Sequence, residues 1–154
     1  MTNTPNELAF TRTLAAPRMA VWRCWTEPEL IAQWFCPRPW KTVEARVDLR
    51  TGGEFYTKMR GPNGEEPSGE PGIWLEVEHG RKLVFTDAFK PGWIPTGNFL
   101  FVATLKFSDV EGGTLYEVSA RHWDAEKSKA HEEMGFYPGW NAATDQLEEL
   151  AKTL

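Results

Sequence analysis

The residues best suited to chemistry in this chain are three histidines (His79, His122, His131), two cysteines (Cys24, Cys36) and an aspartate, Asp87. Asp87 follows Leu83 and Phe85 at a spacing of two, which puts it on their face of a strand. A buried carboxylate is costly unless paired or protonated. Asp87 is therefore either a hydrogen-bond acceptor or base for a ligand, or the partner of a backbone N–H in the loop near Trp93. His122 shares the face of Tyr116, Val118 and Ala120 and ends the last strand. His122 as a general base with Asp87 is one reading, and a hydrogen-bonded structural histidine is the other. His79 sits in a turn and His131 on a polar helix. Metal ligands usually include close pairs, and neither the histidines nor the cysteines show such spacing, so no metal is expected. Ser68, Ser108, Ser119 and Ser128 lack a nucleophile-elbow context. Cys36, before Pro37, reads as an exposed thiol with no base beside it, and so as inert. Gly52-Gly53 and Gly112-Gly113 precede no helix, which excludes a phosphate loop.

These residues are set on elements that the apolar periodicity reveals. Trp140, Ala143, Leu147, Leu150, Ala151 and Leu154 recur every three or four positions, the pattern of one apolar helix face. Asn141, Thr144, Asp145, Glu148, Glu149 and Lys152 fill the opposite face. A long amphipathic helix is thus expected over Tyr137–Leu154, with Pro138 in its first turn and Gly135 closing the helix before it. Glu7–Leu14 reads as a first strand. A short helix opens at Pro17, with Val21, Trp22 and Trp25 on its buried side. Thr26 is expected to cap a second helix carrying Leu30, Ile31, Trp34 and Phe35, ended by Cys36-Pro37-Arg38-Pro39.

Beyond Pro39 the period changes to two. Val43, Ala45, Val47 and Leu49 alternate with charged residues. Phe55, Thr57 and Met59 follow on a second strand. Ile73, Leu75 and Val77 alternate with Trp74, Glu76 and Glu78. Leu83, Phe85, Asp87 and Phe89 form a further alternating run. Phe99–Phe107 and Thr114–His122 make the last hairpin. Residues 60–72 and 90–98 read as loops, and Asp124 caps a polar helix over Ala125–Met134. Hairpin-length turns make the sheet mainly antiparallel, with one face covered by the final helix.

Composition narrows the partners. The 154 residues suit a single domain spanning 1–154, and a net charge of −5 argues against nucleic acid or anionic membrane. No apolar run reaches the ~20 residues needed to span a bilayer. The N-terminus has no signal-peptide pattern and two cysteines make no disulfide framework, so a cytoplasmic, reduced protein is expected. Eight tryptophans are many for a domain of this size; most are expected in the core, with the excess available to line a cavity.

The order of motifs resembles the START-like, or SRPBCC, superfamily. Thr11-Arg12-Thr13-Leu14-Ala15-Ala16-Pro17 followed by Val21-Trp22 is similar to its opening, and Glu27-Pro28-Glu29-Leu30-Ile31-Ala32-Gln33-Trp34-Phe35 to its second helix. Gly52-Gly53-Glu54-Phe55 through Met59-Arg60-Gly61-Pro62-Asn63-Gly64 resembles its next hairpin. Leu83-Val84-Phe85-Thr86-Asp87-Ala88-Phe89, and His131-Glu132-Glu133-Met134-Gly135-Phe136 leading to Gly139-Trp140, resemble one branch. That branch is named after the C-terminal domain of the activator of the heat-shock protein 90 ATPase. The resemblance implies an α+β helix-grip fold: a curved, mainly antiparallel sheet wrapped around a long C-terminal helix, with two short helices after the first strand. It also implies a hydrophobic cavity between sheet and helix. The superfamily includes lipid carriers, hormone receptors and polyketide cyclases, so fold alone does not select a function. The chaperone activator carries an N-terminal domain for its partner, and this chain, starting at the first strand, is expected to lack it.

Within that frame the cavity candidates are Trp34, Phe35, Trp40, Met59, Phe85, Phe101, Met134, Tyr137 and Trp140, with Asp87 and His122 as polar members. The expected function is the binding of a small hydrophobic molecule, without catalytic residues, cofactor or metal, by a monomer or homodimer. The alternatives are a cyclase-like or hydrolase-like enzyme using His122, Asp87 and Tyr137, and a co-chaperone-type interaction module.

Overall fold

The computed structural model describes residues 6–67 and 69–154, so the N-terminal pattern at residues 1–5 and the reading of Ser68 lie outside the described residues. The chain runs β1 (Glu7–Leu14), α1 (Arg18–Thr26), α2 (Pro28–Trp34), β2 (Lys41–Val47), β3 (Glu54–Arg60), β4 (Gly72–Glu78) and β5 (Lys82–Thr86). It continues with a two-residue ribbon, β6 (Phe89–Lys90) and β7 (Ile94–Pro95), then β8 (Val102–Val110), β9 (Gly113–Arg121), α3 (Ala125–Glu133) and α4 (Phe136–Ala151). Seven strands form one antiparallel sheet in the order β1-β9-β8-β5-β4-β3-β2. The sheet curls into a half-barrel around the C-terminal helix, the helix-grip arrangement. None of the described helices is long and apolar enough to cross a membrane.

The core lies where α1, α2 and α4 meet the concave face. Trp22 and Trp25 from α1, Ile31 and Trp34 from α2, and Ala143, Leu147 and Ala151 from α4 pack in one cluster with Trp74, Phe85, Leu105 and Tyr116 from the sheet. The apolar spacing of the last helix thus becomes its buried stripe. Two of its polar residues are buried as well. Thr144, expected on the outer face, is buried and returns its hydroxyl to the Trp140 carbonyl at 2.7 Å. Gln146 is buried, and its amide donates to the Trp34 and Cys36 carbonyls, both at 2.9 Å, and accepts from the Arg38 N–H at 3.0 Å. One side chain therefore satisfies three backbone groups where α2 ends. On the other side of α4, Arg12 of β1 donates to the Asn141 carbonyl at 3.1 Å and pairs with Asp145 at 2.7 Å.

Several local expectations are corrected. Thr26 does not cap α2: its hydroxyl donates to the Trp22 carbonyl inside α1, and Glu27 occupies the N-cap. The last helix starts at Phe136 and ends at Ala151, which leaves Leu154 exposed instead of on the apolar stripe. Gly135 precedes it at φ 101°, a left-handed conformation open to glycine at no steric cost, and so turns the chain between α3 and α4. The strand expected from Phe99 begins at Val102. A bulge between Thr42 and Glu44 turns Thr42 inward and leaves Val43 exposed. A second register shift, between Trp74 and Glu76, places Trp74 in the core beside Val77 and displaces Leu75 from that face. The run from Leu83 to Phe89 is broken: β5 stops at Thr86, so Asp87 lies in the following turn.

Candidate functional site

The open end of the concave face holds an apolar cleft of about 250 Å³. Trp25, wholly buried, forms its base, and α2, β3 and α4 contribute Trp34, Phe35, Met59 and Trp140. Each ring is held by its neighbours. Trp34 meets Trp25 at 5.0 Å between centroids and donates its indole N–H to the Cys24 carbonyl at 2.8 Å. Trp140 lies nearly parallel to Trp25, at 6.3 Å and 24°. The Trp25 indole N–H donates to the Tyr116 hydroxyl at 3.0 Å. Burial raises the Tyr116 pKa, so the phenol stays protonated. The indole N–H groups of Trp25 and Trp34 are thus satisfied inside the core, and the lining of the cleft is almost wholly apolar. No charged residue lines it.

A second cleft of about 200 Å³ adjoins the first. Phe35 and Phe101 line both. Beyond them the lining changes to Phe55, Phe85, Thr57, Thr86, Glu70 and Asp87. Asp87 accepts the Leu100 N–H on both carboxylate oxygens, at 3.0 and 3.1 Å. Its main-chain carbonyl accepts from the Thr96 hydroxyl at 2.7 Å. The backbone-partner reading of Asp87 therefore describes it, with Leu100 as the partner. Glu70 pairs with Lys90 at 3.2 Å.

His122 and His131 converge although nine residues apart. His122 Nε2 lies 2.7 Å from His131 Nδ1, and His122 Nδ1 lies 3.2 Å from the Asn6 carbonyl. A carbonyl only accepts, so His122 carries its proton on Nδ1, and His131 donates from Nδ1. Both rings are buried. Burial, and then His122, push the His131 pKa down to about 4, so His131 is neutral at pH 7. The pair joins the end of β9 to α3, and the His131 ring meets Phe101 at 5.2 Å between centroids.

The remaining sequence candidates are dispersed. Trp40 is outside both clefts and lines an open groove of about 490 Å³ between α2 and β2, with Arg38 and Pro39. Tyr137 packs on Phe136 at 5.0 Å, in a small cluster with Leu8 and Ala120. Met134 was expected to face inward, yet it closes α3 and is 75% exposed. The exposed-thiol reading of Cys36 is also corrected: it is buried against the Thr42 hydroxyl at 3.3 Å. Burial raises the pKa of both thiols, that of Cys24 to about 12, which keeps them un-ionised. No group of three or more metal-ligating side chains occurs among the described residues.

Residues 15–152 match the family model described as activator of Hsp90 ATPase homolog 1-like protein. The chain belongs to that family. Its structure is similar to a crystal structure of a protein from Nitrosomonas europaea, with 40% identity, a TM-score of 0.93, and coverage of 99% of this chain and 97% of that one. A protein from Rhodobacter sphaeroides is 23% identical with a TM-score of 0.86, over 100% and 97% of the two chains, a likeness of fold. The same holds for a protein from Aeromonas hydrophila described as AHSA1-like, at 22% identity and a TM-score of 0.73 over 96% and 92%. No curated protein matches.

Within this activator-like fold, four features of the site escaped sequence reasoning. Trp25 looked like plain helix packing, yet it forms the base of the apolar cleft. Gly139 and Ala143 line the same cleft, and their small size opens the space beside Trp140. Gln146 sits one position off the apolar stripe. The histidine pair has one available signal: Ser128 and His131 are three apart on α3 and both face inward.

Proposed function

We propose that this protein is a binding module for a small, largely apolar molecule held between the curled sheet and α4. The observation that carries this reading is the uncharged cleft of about 250 Å³ walled by Trp25, Trp34, Phe35 and Trp140. An apolar cavity of ~150 Å³ is enough for benzene, so this one suits a fused aromatic ring or a branched chain. Burying ~300 Å² of apolar ligand surface contributes about 7.5 kcal/mol at 25 cal/mol per Å², equivalent to a dissociation constant of a few micromolar before ordering costs are subtracted.

The arrangement of polar residues favours binding over turnover. Asp87 and His122, the two groups an enzyme would use together, are engaged with Leu100 and with Asn6 and His131, and not with each other. The reading places the protein in a reducing, cytoplasmic setting, in keeping with two buried, unpaired cysteines.

Native mass spectrometry of the purified protein, together with titration by a hydrophobic fluorescent dye, tests this. Dye binding at micromolar concentration with altered tryptophan emission is expected. A protein that carries no small molecule and gives no saturable dye signal would overturn the reading.

A further inference from the structure

The two clefts differ in chemistry at their opposite ends, and each alone falls below the ~300–1,000 Å³ of typical ligand pockets. The first, about 250 Å³, is walled by aromatic and apolar residues without a charge. The second, about 200 Å³, is lined by two carboxylates, Glu70 and Asp87, and by no basic side chain. Phe35 and Phe101 belong to both walls, so the two spaces are neighbours that share these half-buried rings. Taken together they reach the usual pocket range.

We propose that the two clefts act as one elongated site whose ligand is an apolar, ring-bearing molecule with a non-anionic, hydrogen-bond-donating head at the Asp87 end. This rests on the apolar-binding reading above and adds the ligand's polarity and orientation. The ring lies against Trp25 and Trp140, and the Trp25 indole N–H is already committed to the Tyr116 hydroxyl. The head lies beside Asp87. A carboxylate has about four lone-pair sites, and among the described residues the Leu100 N–H is the one donor that the Asp87 oxygens accept from. Acceptor capacity therefore remains for a hydroxyl or an ammonium. The Glu70 charge is offset by Lys90, while Asp87 has no basic partner among the described residues, so this end carries a net negative charge. An anionic head would meet that charge without a compensating cation. Thr86 adds no competing donor, because its hydroxyl is committed to the Phe101 carbonyl at 3.1 Å.

The test uses four probes that share a naphthalene ring and a butyl chain: 4-(1-naphthyl)butylamine, 4-(1-naphthyl)butan-1-ol, 4-(1-naphthyl)butyric acid and 1-butylnaphthalene. Each is titrated into the native protein at pH 7. The amine and the alcohol are expected to bind at least about tenfold more tightly than the acid, a difference of about 1.4 kcal/mol. In Asp87→Asn, which keeps an acceptor for the Leu100 N–H, the amine-to-acid affinity ratio should fall by about tenfold. An unchanged thermal midpoint in this variant separates binding from folding. If the acid binds as tightly as the amine and alcohol, or the ratio survives Asp87→Asn, the proposed polarity is wrong while the apolar site stands. If none of the four binds, butylnaphthalene included, the apolar-binding reading fails and this inference fails with it.

Discussion

Single side chains at the cleft carry two kinds of energy, and they separate by mutation. Trp140 is half-buried and touches Phe10, Trp25, Phe101 and Phe136 ring to ring. Trp140→Ala should weaken binding of a hydrophobic dye at least tenfold and lower stability by about 2–3 kcal/mol, somewhat less than for a fully buried ring. Chemical denaturation of the same variant checks the second figure, and equal dye affinity would contradict the first. Tyr116 acts differently, since it lies wholly buried under Trp25 and supplies the acceptor for its indole N–H. Tyr116→Phe keeps the shape and orphans that donor, an expected cost of about 1–3 kcal/mol. A variant as stable as the parent in urea would show that the bond contributes nothing net.

At the scale of elements, the junctions that hold the site in place are polar, and they are where alternation and helical spacing had least to say. Gln146 fastens the end of α2 to α4 through two donated bonds and one accepted bond. Gln146→Glu removes both donors and sets a carboxylate against two carbonyls, so it should destabilise the fold by about 2–4 kcal/mol and by more than Gln146→Met, which buries no charge. Thermal melting of the two variants ranks them. The β9–α3 junction depends on the histidine pair. In the folded protein His131 holds its proton only below about pH 4, whereas an unperturbed imidazole titrates near 6.5. Between those values the unfolded chain binds a proton that the folded chain does not. The contribution of His131 is therefore fully present above pH 6.5 and is lost as pH falls towards 4, by about 2–3 kcal/mol. His131→Gln, which retains a donor for His122 Nε2, should flatten that part of the stability profile relative to the parent; parallel profiles would refute it. The amphipathic stripe of α4 was legible because one face of a long helix repeats often enough to be read. The hairpins were legible from glycine-rich turns. The inward residue of β4 was not, because Ile73, Trp74 and Leu75 are all apolar and a bulge, not alternation, decides which faces the core. Asp87 was placed one residue too deep because strand parity was carried past the point where β5 ends. Met134 was misread because an apolar side chain at a helix end need not belong to any stripe. Trp34, Phe35, Met59, Phe101 and Trp140 were legible as cleft residues and Trp25 was not, while the acidic character of the adjoining cleft arises from Glu70 and Asp87, on separate segments that only the fold brings together.

For the whole molecule, the sheet and α4 stabilise each other. Removing residues 137–154 strips Ala143, Leu147 and Ala151 from the core, releases Arg12 from its partners, and opens Trp25 and Tyr116 to water. No cooperative thermal transition is expected from that truncation, and a sharp one would show that the curled sheet stands without its helix. The pairing of β1 has a further consequence. It lies beside β9 along its whole length, from Glu7 opposite Arg121 to Leu14 opposite Thr114. The first strand to be synthesised therefore waits for the last. With 114 positions between Glu7 and Arg121 and synthesis at ~5–20 residues per second, the wait is roughly 6–23 s, during which the alternating edge of β1 has no native neighbour. For that interval the nascent chain exposes the kind of unpaired strand that other chains can join. Completion of the sheet is thus gated by β9: until that strand has left the ribosome, the first strand keeps an open edge.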